Sequence, residues 1–267
     1  MVIQPIHRVT HFESAYLARD VIFDIYLPDD YASIEKPIQL LFINDGQHGV
    51  RLKLAQAVSD FNKARKDTPL CVVALHSGPD RIHEYGVAAT PDYAGRGAMA
   101  GAYSFFILKE LLPWIESNYR VGGSPDLRGF AGYSLGGLSA FDLVWHNPDV
   151  FSKGGILSPA FWWRSKPVDG EYRDAEDRIM HRLVKAGKLH SHLRLWFFAG
   201  TAEETEDRNN NGIIDVIDDI HDLMNELRKL GYGDNDELFY HEMKDGLHTE
   251  ETWAKALPIC LEWLYRN

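Results

Sequence analysis

Five short, near-continuous apolar runs, residues 38–43, 70–75, 127–131, 154–157 and 193–198, constrain this chain more than any other feature. A strand wetted on one face alternates apolar and polar residues. A strand buried on both faces does not, and such strands belong to parallel sheets with helices on either side. Residues 21–27 alone alternate like a half-exposed strand. Between the runs, residues 51–62, 102–117, 135–147, 177–186, 216–230 and 250–264 repeat their apolar positions at helical spacing. The βαβα order predicts an α/β fold with a mostly parallel central sheet and helices on both faces. The 267 residues contain no proline-rich or low-complexity linker, so one domain spanning 1–267 is expected.

In sheets of this kind ligands bind beyond the carboxyl ends of the strands. Just after the 127–131 run comes Gly132-Tyr133-Ser134-Leu135-Gly136-Gly137, a GxSxG turn between a strand and a helix. Its glycines permit a turn too tight for side chains, and the following helix aims free N–H groups and its positive dipole end at the space beside Ser134. A serine hydroxyl is a poor nucleophile unless a base takes its proton and an acid orients that base. In the strand–turn–helix hydrolases the order is Ser, acid, His. Among the C-terminal histidines, His241 falls within the strand-like stretch 238–242, whereas His248 lies in a loop before the last helix, where the base belongs. The acid should follow the 193–198 run, where Glu203 and Glu204 are adjacent and Asp207 lies close behind. Neighbouring side chains in an extended turn point apart, so one of them serves; periodicity does not choose between them.

These segments resemble the Putative esterase family of α/β hydrolases, the group that includes S-formylglutathione hydrolase, siderophore esterases, feruloyl esterases and mycolyltransferases. The matching pieces are Asn44-Asp45-Gly46-Gln47, the elbow from Gly129 to Gly137, Leu157-Ser158-Pro159-Ala160-Phe161-Trp162-Trp163, the turn Gly200-Thr201-Ala202-Glu203, and the histidine loop. The resemblance implies an α/β-hydrolase fold and a catalytic set of Ser134, His248 and Glu203, because the family's acid commonly comes three residues after the strand-ending glycine. It also implies an oxyanion hole from the backbone N–H groups of Leu135 and Gln47. Two such donors are what a tetrahedral intermediate requires. The implied activity is hydrolysis of a small or medium ester or thioester through an acyl-enzyme, with no cofactor required. Acyl transfer by the same residues, and a non-catalytic binding protein on the same fold, are the alternatives.

Trp162 and Trp163 follow a predicted strand, so they either reach the rim as substrate-binding groups or cap the core beneath a loop. Residues 162–174 are long enough to cover a pocket. Arg81 either clamps a substrate carboxylate or pairs with Asp80 or Glu84. Residues 207–218 match an EF-hand-type calcium loop. Asp207, Asn209, Asn211, Asp215 and Asp218 stand at positions 1, 3, 5, 9 and 12, Gly212 at 6, and Ile213 offers its carbonyl at 7. Asp218 is shorter than the usual glutamate, and a structural, weakly held Ca2+ is the expectation.

The formal net charge of −11 argues against nucleic acid and anionic membranes as partners and says little about a small substrate; the small-molecule ester expected as partner is what the resemblance implies. The two cysteines, Cys71 and Cys260, sit in apolar runs and read as buried free thiols. Met1 to Thr10 shows no apolar leader and no run could span a bilayer, which makes the cytoplasm the expected location.

Overall fold

The fold, taken from a computed structural model, is described for residues 7–88 and 90–266. Most of the Met1–Thr10 stretch therefore lies outside the described residues. Eight strands form one sheet: β1 (His7–Ser14), β2 (Arg19–Tyr26), β3 (Gln39–Asn44), β4 (Leu70–Leu75), β5 (Arg128–Tyr133), β6 (Lys153–Leu157), β7 (Arg194–Gly200) and β8 (Leu238–Met243). Their order is β1-β2-β4-β3-β5-β6-β7-β8. From β4 to β8 every pairing is parallel, whereas β2 runs antiparallel to both β1 and β4. Strand β4 starts and ends with its apolar run. Strand β1 has no such signature, since His-Arg-Val-Thr-His-Phe-Glu-Ser is largely exposed and serves as the sheet's edge.

Nine helices are described: α1 (Leu54–Ala64), α2 (Arg81–Glu84), α3 (Ala100–Phe105), α4 (Leu112–Asn118), α5 (Leu135–His146), α6 (Asp174–Asp177), α7 (Ile179–Lys185), α8 (Asp215–Leu230) and α9 (Glu250–Leu264). The helix expected over 102–117 is interrupted: a π turn at Phe106–Leu111 separates α3 from α4. The two faces of the sheet are legible in single strands. In β3, Leu40 and Phe42 enter the core shared with α3, α4, α5, α7 and α8, while Leu41 and Ile43 enter the core under α1 and α9. Each such fully buried side chain contributes about 1.5–3 kcal/mol. Every residue of α5 except His146 is buried, which explains why that helix has no polar face to read in its sequence.

Cys71 and Cys260 are both buried and unbridged, and burial pushes their thiols well above the ordinary range, so neither is a reactive thiolate at neutral pH. Among the described residues no helix is long and apolar enough to cross a membrane.

Candidate active site

Strand β5 delivers Ser134 to the carboxyl end of the sheet, and the turn there is sterically possible only with glycine on both sides. A Cβ on Gly132 would lie 2.2 Å from the Gly136 carbonyl oxygen, and one on Gly136 would lie 2.8 Å from Asp45 Oδ2. Ser134 itself takes φ 55°, ψ −128°, a conformation that a non-glycine residue keeps only when its surroundings impose it. Those surroundings are hydrogen bonds: the Ser134 N–H donates to Leu157 O (3.0 Å), and the Ser134 carbonyl accepts from the N–H of Ala160 (3.1 Å). The side chain remains half-exposed.

Strands β7 and β8 end side by side, and the turns after them are joined backbone to backbone. A Cβ on Gly200 would meet Gly246 O at 2.3 Å; Ala202 N–H donates to Gly246 O (2.9 Å), and Asp245 N–H to Thr201 Oγ1 (2.8 Å). This junction sets Glu203 against His248, with 2.8 Å between Oε2 and Nδ1. The carboxylate is buried, at 1% side-chain exposure, while the imidazole is 39% exposed. Glu203 Oε1 accepts from the Gly200 N–H and from the Ser158 hydroxyl, both at 2.6 Å. Thr249, not His248, caps α9. Among the described residues no hydrogen bond joins Ser134 Oγ to the imidazole.

Glu204 points the other way. Its Oε1 accepts the N–H of Val216 in the first turn of α8 (2.7 Å), and burial, followed by the neighbouring acids, raises its pKa above the ordinary range. Asp207 lies in the exposed loop beyond. His241 is held at ring-stacking distance from Trp196 and Phe198, and burial lowers its pKa.

The loop after β3 supplies the facing wall. Asp45 takes φ 61°, and its buried carboxylate accepts from Arg81 Nε (2.6 Å) and Nη2 (2.7 Å). Arg81 is thus a brace for this loop, paired with neither Asp80 nor Glu84. The expectation that it clamps substrate is corrected, because the guanidinium fork is already filled by Asp45. Asn44 Nδ2 donates to Gly136 O (2.8 Å), tying the loop to the elbow. The Leu135 and Gln47 N–H groups have no acceptor among the described residues. Preorganised donors of this kind suit a developing oxyanion.

The two tryptophans separate. Trp163 is fully buried, wedged against Gly86 and Gly97, and its indole N–H donates to Thr90 O (3.3 Å). The expectation of a substrate contact at Trp163 is corrected: the side chain belongs to the core. Trp162 is half-buried and lines a groove of about 320 Å3 with Arg164, Val168, Tyr172 and Arg208. A larger concavity of about 560 Å3 lies around Gln39, Lys153 and Arg194, the first residues of their strands, at the opposite end of the sheet from the candidate site. It is not lined by any candidate catalytic residue.

The 207–218 loop folds on itself. Gly212 N–H donates to Asp207 Oδ2 (2.8 Å), and the amides of Asn209 and Asn211 both donate to Asp218 Oδ2 (2.8 Å). Asn210 and Gly212 take positive φ, as a sharp ion-binding turn requires. Its oxygen donors suit a hard cation in type, but Asp218 Oδ2 is taken up by two amide N–H groups, and Asp215 also pairs with Arg208 (3.1 Å). Among the described residues no group of three His, Cys, Asp or Glu side chains is arranged for a metal.

Residues to which the sequence assigned no individual role include Ser158, Trp253, Asn44 and the Asp45 carboxylate. Ser158 had one usable signal, its place immediately after a strand; Trp253 lies within the helical stretch 250–264 and carried no separate signal.

Residues 14–264 match the family model described as "Putative esterase". The chain belongs to that family, which makes it a hydrolase of the esterase class. The uncharacterized protein YbbA of Bacillus subtilis is similar at 25% identity, over 91% of this chain and 92% of that protein. Among solved structures, the enterobactin esterase FES from Shigella flexneri superposes with a TM-score of 0.76 at 20% identity, covering 99% of this chain and 61% of that one. The chain thus spans about three fifths of that enzyme. A ferulic acid esterase (TM-score 0.70, 19% identity, 97% and 96% covered) and the BES protein from Bacillus cereus (0.71, 18%, 97% and 94%) have the same α/β-hydrolase fold over nearly their full length.

Proposed function

We propose that this protein is a serine carboxylic-ester hydrolase acting on a small or medium ester or thioester. Ser134 Oγ attacks the carbonyl carbon while His248 Nε2 takes its proton, and Glu203 holds the imidazole through Nδ1–H. The oxyanion forms against the N–H groups of Leu135 and Gln47, either of which is worth about 3–4 kcal/mol of barrier. Collapse expels the alcohol or thiol, which takes the proton from His248. Water, deprotonated by the same imidazole, then resolves the acyl-enzyme.

The observation that carries this reading is the 2.8 Å contact between Glu203 Oε2 and His248 Nδ1, at the strand ends that also display Ser134. Half-exposure of Ser134 and His248 favours a reaction open to water and to a small substrate. The buried, unbridged cysteines fit a reducing compartment such as the cytoplasm. To the loop at 207–218 the same reading assigns a weakly held Ca2+ with a structural role and no part in the chemistry.

The test is hydrolysis of p-nitrophenyl acetate, butyrate and octanoate by the wild type and Ser134→Ala. A loss of about a thousandfold or more on all three is expected. Turnover that survives the substitution, or none in the wild type, would overturn the reading.

A further inference from the structure

We propose that Ser158 and Trp253 are positioning residues that fix the tautomer of His248 by way of Glu203. The inference rests on the triad reading above and adds two residues to it. Trp253 Nε1 lies 2.8 Å from Ser158 Oγ, and Ser158 Oγ lies 2.6 Å from Glu203 Oε1. An indole N–H can only donate, so Ser158 Oγ must accept from it. The single hydroxyl proton of Ser158 is then left for Glu203. Oε1 receives that proton's bond together with the one from the Gly200 N–H at 2.6 Å, so both of its acceptor sites are taken. Oε2 remains as an acceptor for His248, so the imidazole proton is drawn to Nδ1 and the Nε2 lone pair faces the substrate side.

The surroundings of the pair are built for this direction. Ser158 is buried in the left-handed region at φ 44°, held there by its N–H donating to Phe198 O (2.8 Å). That conformation is unfavourable for serine, and its retention in a buried turn requires compensation by its partners. Trp253 stacks on Tyr133, the residue before Ser134, at 4.2 Å between ring centroids, and meets the His248 ring edge-on at 4.9 Å. One indole therefore touches the strand that carries the nucleophile, the ring of the base, and the hydroxyl that orients the acid.

The experiment compares Ser158→Ala, Ser158→Gly, Trp253→Phe and the Ser158→Ala/Trp253→Phe double variant in kcat and KM. Ser158→Gly guards against a folding artefact, because glycine relieves the positive φ while removing the same hydroxyl. Both serine variants are expected to lose about tenfold to a hundredfold in kcat with KM nearly unchanged, the size expected of a misaligned catalytic group. Trp253→Phe keeps the ring and should lose less. The double variant should be no worse than Ser158→Ala, because both changes cut one chain of donors. Wild-type kcat in the serine variants, or losses that multiply in the double variant, would overturn the proposal. Nitrogen-15 NMR of the His248 ring reads the tautomer without turnover: the proton is expected on Nδ1 in the wild type and divided between the nitrogens in Ser158→Gly. A wild-type proton on Nε2 would refute the relay even if Ser134-dependent hydrolysis stands, whereas loss of the esterase reading alone would leave this spectrum unchanged.

Discussion

Glu203 and Glu204 are neighbours in the chain and serve two different regions. Glu203 turns into the junction of the β7 and β8 loops, where two donors hold one oxygen and a half-exposed imidazole takes the other. Glu204 turns toward α8 and the ionic cluster beside it. There Arg178 Nη1 and Arg208 Nη2 each lie 2.7 Å from Asp219 Oδ1, and Asp174, Asp215 and Asp222 complete the set. Both regions face carboxylates with cationic or ionisable groups. They differ in what remains free: in the cluster the charges are paired with one another, whereas at the junction the second ring nitrogen of His248 has no hydrogen-bond partner among the described residues. An acid–base pair with a spare, accessible valence can do chemistry; a closed one can only hold helices together.

The largest effect that tests this contrast is Glu203→Gln. With two donors on Oε1, the amide oxygen takes that site and the amide N–H faces His248, forcing the wrong tautomer. We expect kcat to fall about a thousandfold to ten-thousandfold with a near wild-type melting temperature. Glu204→Gln, which keeps an acceptor for Val216, should change kcat less than about twofold; Glu204→Ala should lower stability by about 1 kcal/mol, as for a lost helix cap. Equal losses of activity at both glutamates would erase the distinction.

Next in size, Asp219→Ala should destabilise the fold by about 3–5 kcal/mol in urea denaturation, because it removes the partner shared by two largely buried guanidinium groups, and should leave kcat of the folded enzyme unchanged. His181, packed beside this cluster, has its pKa pushed down to about 3 by burial and then by Arg178. The unfolded chain therefore binds a proton on this residue below its ordinary value of 6.5, while the folded protein stays neutral. Its contribution is fully present above pH 6.5 and lost as pH falls toward 3, by about 1.4 kcal/mol per pH unit. Urea midpoints at pH 7 and pH 5 for the wild type and His181→Gln should show the wild type losing more. The smallest effect is calcium: millimolar Ca2+ should raise the melting temperature by a degree or two, since stabilisation grows only as the logarithm of ion concentration over Kd, and should not alter kcat. Failure to shift the melting curve would remove the ion from the 207–218 loop.

The chain dictated its layers directly. Near-continuous apolar runs became strands buried on both faces, and the elbow was legible because Gly132 and Gly136 stand two residues either side of Ser134, at positions where a Cβ would collide with the turn. His248 and the pair of candidate acids could be placed for the same local reason, as residues just beyond strand ends. Strand β1 was not legible, because an exposed edge strand carries polar residues on both faces.

What only the tertiary structure decided is which partner each of those residues meets. Adjacent glutamates have the same composition and nearly the same sequence context; the close approach of Gly200 to Gly246 turns one toward His248, and the start of α8 takes the other. Arg81 finds Asp45, 36 residues away, instead of its helical neighbours, and Trp163 goes into the core while Trp162 stays at a groove. Local sequence sets backbone conformation and burial pattern, which are short-range properties. Hydrogen-bond partners are chosen across the sheet, by strand order and by the backbone approaches that glycine permits.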